Sequence, residues 1–171
     1  SIASCIRACV EAGIIADAVV LSERLQHEAT RPKMIAGSAD VMSALPANAA
    51  ASLSALLLAA KATSNADFEM LMGSLEAKLS QKDTPPRSRE LALLVLGEVG
   101  RALDISARAV FQRDGGAAMA SLGAREQDER VAAALCVGSV ASLNVAAMLP
   151  AVLEKCQTSG PDGLRVSALA A

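Results

Sequence analysis

The sequence predicts an all-α fold built from paired helices, and three observations carry that expectation. The first is composition. Of 171 residues 53 % are apolar and 37 are alanine, whereas Trp and Tyr are absent and Phe occurs only at positions 68 and 111. Alanine is the best helix former and adds little bulk, so it favours closely packed helices, while sheets draw on aromatic and β-branched residues. The second is the apolar run Leu91 to Gly100. At about 100° per residue, Ala92, Val95, Leu96, Val99 and Leu103 fall on one face, and Arg87, Glu90, Glu98 and Arg101 share an opposite arc roughly 80° wide, interrupted by Leu94. So narrow a polar stripe belongs to a helix packed on more than one side, and Gly97 and Gly100 would let a neighbour approach closely.

The third observation is recurrence. With Gly97 placed over Gly138, Arg89 falls on Arg130, Leu94 on Leu135, Leu96 on Val137 and Val99 on Val140. Asp104 follows the first glycine by seven residues and Asn144 the second by six. An offset of 41 residues with helical periodicity fits the spacing of HEAT or armadillo repeats. The expected architecture is an α-solenoid segment of roughly four antiparallel helix pairs, stacked in one dimension.

In chain order, residues 2–29 read as two helices broken at Gly13, with Asp17, Glu23, Arg24 and His27 on the wet side of the second. Arg31-Pro32 ends that unit. A weak helix from Met34 to Leu45 is punctuated by Pro46, and Ala47 to Ala62, uncharged until Lys61, should be buried on several sides. Thr63-Ser64-Asn65 has capping chemistry, with Asp67 and Glu69 where the helix dipole favours acids. Phe68, Leu71, Met72, Leu75 and Leu79 then give the clearest amphipathic spacing in the chain. Thr84 is a good N-cap and Pro85-Pro86 suit a first turn, so the central helix should start there.

Beyond Asp104-Ile105-Ser106, Gly115-Gly116 interrupts the second helix of this repeat. We expect an irregular stretch or short helix over 107–112, then a helix over about 117–122. Glu126 and Arg130 at i,i+4 lead into the second copy of the central helix, with Ala133, Cys136, Val137 and Val140 facing inward. Val145 to Gln157 is its partner, kinked or restarted at Pro150. Thr158 to Pro161 is a turn, and Asp162 to Ala171 starts another first helix. The repeat units are thus 2–30, 34–80, 84–123 and 126–158, with 161–171 opening the next. The chain starts without Met and stops inside a helical pattern, as a segment of something longer would.

Several function classes lose support from the same residues. Net charge is −2, from 16 basic and 18 acidic residues, so no basic stripe is available for nucleic acid, and no aromatic platform for single strands. The longest apolar stretch, Ala49 to Ala60, is too short to span a bilayer and contains Ser52 and Ser54. Cys5, Cys9, Cys136 and Cys156 lack metal-site spacing and read as small buried hydrophobes in a reducing compartment. His27, the single histidine, has no motif joining it to a nucleophile, so we expect neither an enzyme nor a cofactor or small-molecule substrate. Gly97 and Gly100 lack the strand and the Gly-Lys-Ser/Thr of a phosphate loop.

The run Leu91 to Gly100 with Asp104-Ile105-Ser106 resembles a stretch of the cullin-associated, neddylation-dissociated (CAND) family. Gly138-Ser139-Val140, Asn144 and Met148-Leu149-Pro150-Ala151-Val152-Leu153 follow that family's next repeat in order and spacing, and Gly163 to Leu169 is similar to the helix after it. The match runs from about Lys78 to Ala171. The sequence departs from the family in its alanine richness, in Gly115-Gly116 and in extra residues around 109–113.

The resemblance implies a HEAT scaffold from the C-terminal half of such a protein. It would bind cullin–RING ubiquitin ligases that lack the ubiquitin-like modifier, and would promote exchange of substrate receptors in cytoplasm and nucleus, with no cofactor. Alternatives are another HEAT scaffold, of the transport-receptor or phosphatase-regulatory type, or a small all-α enzyme. A solenoid binds through its repeat edges and concave face, so the candidate protein-binding residues are Arg87, Arg89, Glu90, Arg125 and Arg130.

Overall fold

The computed structural model describes residues 18–30 and 39–158, together with Ile6, Ala8, Cys9 and Ala12. Among them every regular element is a helix. The Gly13 break, the Arg31-Pro32 stop and the helix from Asp162 lie outside the described residues.

Helix α1 spans Ala18–Thr30. Glu23, Arg24, His27 and Glu28 are exposed, while Ser22 and Gln26 are buried. The two buried polar groups satisfy each other, Gln26 Nε2 donating to Ser22 Oγ at 2.9 Å, and Lys78 Nζ donates to Gln26 Oε1. Burial pushes the Lys78 ammonium down from its usual range, and Glu23 pulls it back.

Helix α2 is one continuous element, Ala39–Thr63, with Pro46 inside it, where the sequence suggested a break. Proline removes one donor, leaving the carbonyl four residues earlier without its helical partner. The alanine-rich stretch beyond it carries the helix, with Leu53, Leu56, Leu57, Ala59 and Ala60 all buried. Ser52 and Ser54, also buried, donate back to the carbonyls of Asn48 and Ala51, which removes the cost of taking a hydroxyl out of water.

Helix α3, Asn65–Ser80, is capped by Ser64, whose Oγ accepts from the Asp67 N–H at 3.3 Å. Its buried residues are Phe68, Leu71, Met72, Leu75 and Leu79, the face the periodicity gives. Each such side chain contributes about 2 kcal/mol of burial, enough to fix the rotation of α3 about its axis.

Helix α4, Pro86–Gly100, begins one turn position later than the Thr84 reading. Pro85, with ψ 143°, takes the cap position, and no side chain caps the helix. Because Pro86 has no N–H, one of the unpaired donors at the helix start is already absent. Ala92, Val95, Leu96 and Val99 are buried and Leu103 half-buried; Leu91, Leu93, Gly97 and Gly100 are buried too. Helix α4 is enclosed by α2, α3, α6 and α1.

Then follow a 3-10 turn at Ala109–Phe111 and the short helix α5, Ala117–Ser121, as the 107–122 reading expects. Gly115 takes φ +83°, a conformation side chains resist. A Cβ on Gly116 would lie 2.4 Å from the Gln112 carbonyl oxygen. These two residues turn the chain so that Val110, Phe111, Ala118, Met119 and Leu122 can all enter the core.

Helices α6, Gln127–Leu143, and α7, Val145–Thr158, are joined by Asn144 alone. Ala133, Cys136, Val137 and Val140 are buried, the inward face expected. Helix α7 runs through Pro150 without interruption.

Helix α2 packs on α4 and α4 on α6; α3 meets the 3-10 turn and α5, and α7 packs on α6. Residues of α4 meet α6 at positions 38 to 40 further on, as in Arg89 with Glu129 and Arg101 with Ser139. Both numbers rise together, so α4 and α6 run parallel. Helix α1 departs from nearest-neighbour order by touching α4 as well as α2 and α3.

The seam between α4 and α6 is as close as its glycines imply. A Cβ on Gly97 would stand 3.0 Å from Cys136 Cα, and one on Gly100 would stand 2.5 Å from Val140 Cγ2. Gly73, exposed on α3, has nothing within 4 Å of the same position. Gly97→Val should therefore lower the unfolding free energy by about 2 kcal/mol or more through overpacking. Gly73→Ala should raise it by about 0.5–1 kcal/mol through helix propensity. Urea unfolding followed by circular dichroism measures both, and equal effects at the two sites would contradict the seam.

Candidate functional site

Arg87, Arg89, Glu90, Arg125 and Arg130 all lie at or just before the N-terminal ends of α4 and α6. Since those helices are parallel neighbours, the five residues share one end of the fold. The structure divides them by what they touch.

Arg89 is committed to the interior. Its Nε donates to Glu129 Oε1 at 2.8 Å and its Nη2 to Ser121 Oγ at 3.3 Å, while Ser121 Oγ donates to the same Glu129 oxygen at 2.9 Å. Glu129 is 6 % exposed and Ser121 1 %. A carboxylate removed from water needs paired charge and hydrogen bonds, and here α4, α5 and α6 supply them together. Arg130 is also occupied, its Nη1 donating to the carbonyls of Ala124 at 2.9 Å and Arg125 at 2.8 Å. It holds the lead-in to α6 in place.

Arg87 and Arg125 face solvent, and Glu90 is half-buried between them and the seam. Burial pushes the Glu90 carboxyl above its usual range, Asp128 pushes it further, and Arg87 pulls it back. Glu126 and Asp128 are exposed at the same end. The surface is of mixed sign, suited to a partner that presents both charges rather than to a polyanion.

Three polar ties beyond the nominated residues join segments distant in the sequence. Asp104 Oδ1 accepts from the Ser106 N–H at 3.0 Å and from its hydroxyl at 2.6 Å. Asn144 Nδ2 donates to Asp104 Oδ2 at 3.1 Å and to Ser106 Oγ at 2.9 Å, and Asn144 Oδ1 accepts from the Ala147 N–H, capping α7. The Ser106 hydroxyl and N–H, with Asn144, hold the Asp104 carboxyl below its usual range. Arg108 forks onto Glu69 at 2.8 Å and onto Glu76, and Arg113 pairs with Glu154. A signal for the first tie exists in the sequence. Ser64, Asp104 and Asn144 are spaced 40 apart, and each turns the chain by accepting a nearby backbone N–H.

Exposed large apolar side chains lie mostly on the last two described helices, with Val131, Leu135 and Leu143 on α6 and three more on α7. Val145, Leu149 and Leu153 are each about half exposed and fall on one flank of α7, roughly opposite Glu154 at helical spacing. On α1, Glu23, Arg24, His27 and Glu28 line an open hollow, with His27 Nδ1 3.6 Å from Glu28. Cys136 is fully buried and burial pushes its thiol up, away from the reactive thiolate. Among the described residues no group of three or more His, Cys, Asp or Glu is placed to hold a metal ion, and no helix is long and apolar enough to cross a membrane. Comparison with protein-family models, curated proteins and solved structures finds no match to this chain.

Arg89→Met should cost about 3 kcal/mol, because it leaves Glu129 buried and unpaired. Adding Glu129→Leu should recover most of that loss, and a double-mutant cycle by urea unfolding checks it; additive losses would contradict the buried pair. A second test concerns Glu90. A carboxyl raised in the folded state makes the fold bind protons more readily than the unfolded chain, so its contribution worsens as pH rises from the unfolded value through the folded one. Glu90→Gln should therefore be more stable than the natural chain at neutral pH, with the gap closing as acid protonates Glu90. Thermal unfolding between pH 4 and pH 7 reads the trend, and a gap that widens in acid would refute it.

Proposed function

We propose that this chain is a HEAT-type solenoid segment whose role is to bind other proteins, without catalysis or cofactor. One observation supports the reading: a set of polar ties between helices and turns, among them Arg101–Ser139, Arg108–Glu69, Arg89–Glu129, Asp104–Asn144 and Arg113–Glu154, spans 38 to 41 residues each. A fold that repeats in register exposes rows of equivalent helix ends, which is how repeat proteins meet extended partners. The end formed by Arg87, Glu90 and Arg125 is the contact surface. Arg89 and Arg130 support it from within.

The partner is a cullin–RING ligase scaffold lacking its ubiquitin-like modifier, and binding promotes substrate-receptor exchange in cytoplasm and nucleus. This choice of partner rests on the sequence resemblance from Lys78 onward, whereas the scaffold role rests on the repeat register. The two can fail separately.

A pull-down with the chain immobilised, against a cullin–RING complex with and without the modifier, should retain the unmodified form. Arg87→Glu combined with Arg125→Glu should reduce capture several-fold and leave the unfolding midpoint in place. Equal capture of both forms, or of neither, would remove the cullin assignment. Undiminished capture by the doubly reversed variant would move the contact elsewhere.

A further inference from the structure

The two sides of the helix row are held together by different physics. On the α4–α6 side, Gly97 and Gly100 bring backbone against backbone, and Arg89, Ser121 and Glu129 close a buried polar knot across it. Such contacts are short-ranged and shielded from ions in solution. On the other side, where a second helix of the middle unit would lie, the chain runs through the 3-10 turn, Gly115-Gly116 and the five-residue α5. That segment is bracketed by charge. Arg108 reaches back to Glu69 and Glu76 on α3, and Arg113 reaches forward to Glu154 on α7. Glu69, Arg113 and Glu154 are 48 %, 60 % and 37 % exposed, whereas Arg108 and Glu76 are 21 % and 22 % exposed, so water and salt compete most directly for Arg113–Glu154 and for the Glu69 arm of Arg108.

From this asymmetry we infer that the molecule contains a salt-sensitive hinge. The α4–α6 seam is its axle, and the Arg108 and Arg113 brackets set how closely α3 and α7 approach across the irregular segment. Screening the brackets lets α3 and α7 move apart while the seam keeps its register. A row that flexes there adjusts the spacing of its helix ends to a partner's contour. The inference depends on the observed neighbours and ion pairs and is independent of the partner's identity.

Distance measurements by double electron–electron resonance on the full chain test it. Spin labels attached through a ketone-bearing residue at Met70 and Leu149, both exposed on α3 and α7, avoid the native cysteines. A second pair at Ala62 and Leu135 spans α2 to α6 along the seam side. The Met70–Leu149 distribution should lengthen and broaden on going from low salt to 1 M NaCl, and Arg108→Gln or Arg113→Gln should do the same at low salt. The Ala62–Leu135 distribution should stay put, with helix content by circular dichroism unchanged. An invariant Met70–Leu149 distance, or an equal shift in both pairs, would overturn the hinge.

Discussion

Everything in this fold depends on how closely α4 and α6 approach. Two glycines remove the side chains that would hold them apart: the backbone of Cys136 lies against Gly97, and the side chain and backbone of Val140 lie against Gly100. Close approach multiplies weak dispersion contacts and leaves little room for error in register. The Arg89–Glu129 pair then supplies what apolar packing lacks, a direction and a unique alignment. A one-residue slip would separate the guanidinium from its carboxylate inside a region without water to replace it. Packing thus brings the helices together, and the buried pair fixes which residues meet.

The rest of the chain is arranged around that seam. Helix α2 also packs on α4, sending Ala50, Leu53, Leu57 and Ala60 into the same core. Helix α3 brings the bulk that the alanines lack, through Phe68, Leu71, Met72, Leu75 and Leu79. Phe111, the other aromatic, enters the same core from the 3-10 turn. Large side chains therefore fill the core, and small ones at the α4–α6 seam let those two helices draw close.

Charge is used in two distinct ways. Buried pairs such as Arg89 with Glu129 specify geometry, and exposed brackets such as Arg113 with Glu154 respond to the solution around them. The same division separates the exposed arginines from those bonded within the fold. Arg87 and Arg125 point into water, while Arg89 and Arg130, one residue from each seam position, complete hydrogen bonds within the fold.

Much of this was legible in the sequence because periodicity directly encodes burial. The helical class followed from alanine and the missing aromatics, the buried face of α3 from its spacing, and the close seam from Gly97 and Gly100. Even the irregular stretch was marked by Gly115-Gly116. Local signals failed where longer-range packing outweighed them. Pro46 suggested a break, yet α2 runs on through it, and Thr84 offered a cap that the chain leaves unused. The candidate site divided in the same way. Sequence placed five charged residues on repeat edges, but only the fold decided that Arg89 reaches Glu129 and Ser121 while Arg130 ties down the Ala124 and Arg125 carbonyls. Whether an arginine meets water or a carboxylate 40 residues away depends on the rotation and register of two packed helices. No local pattern fixes both.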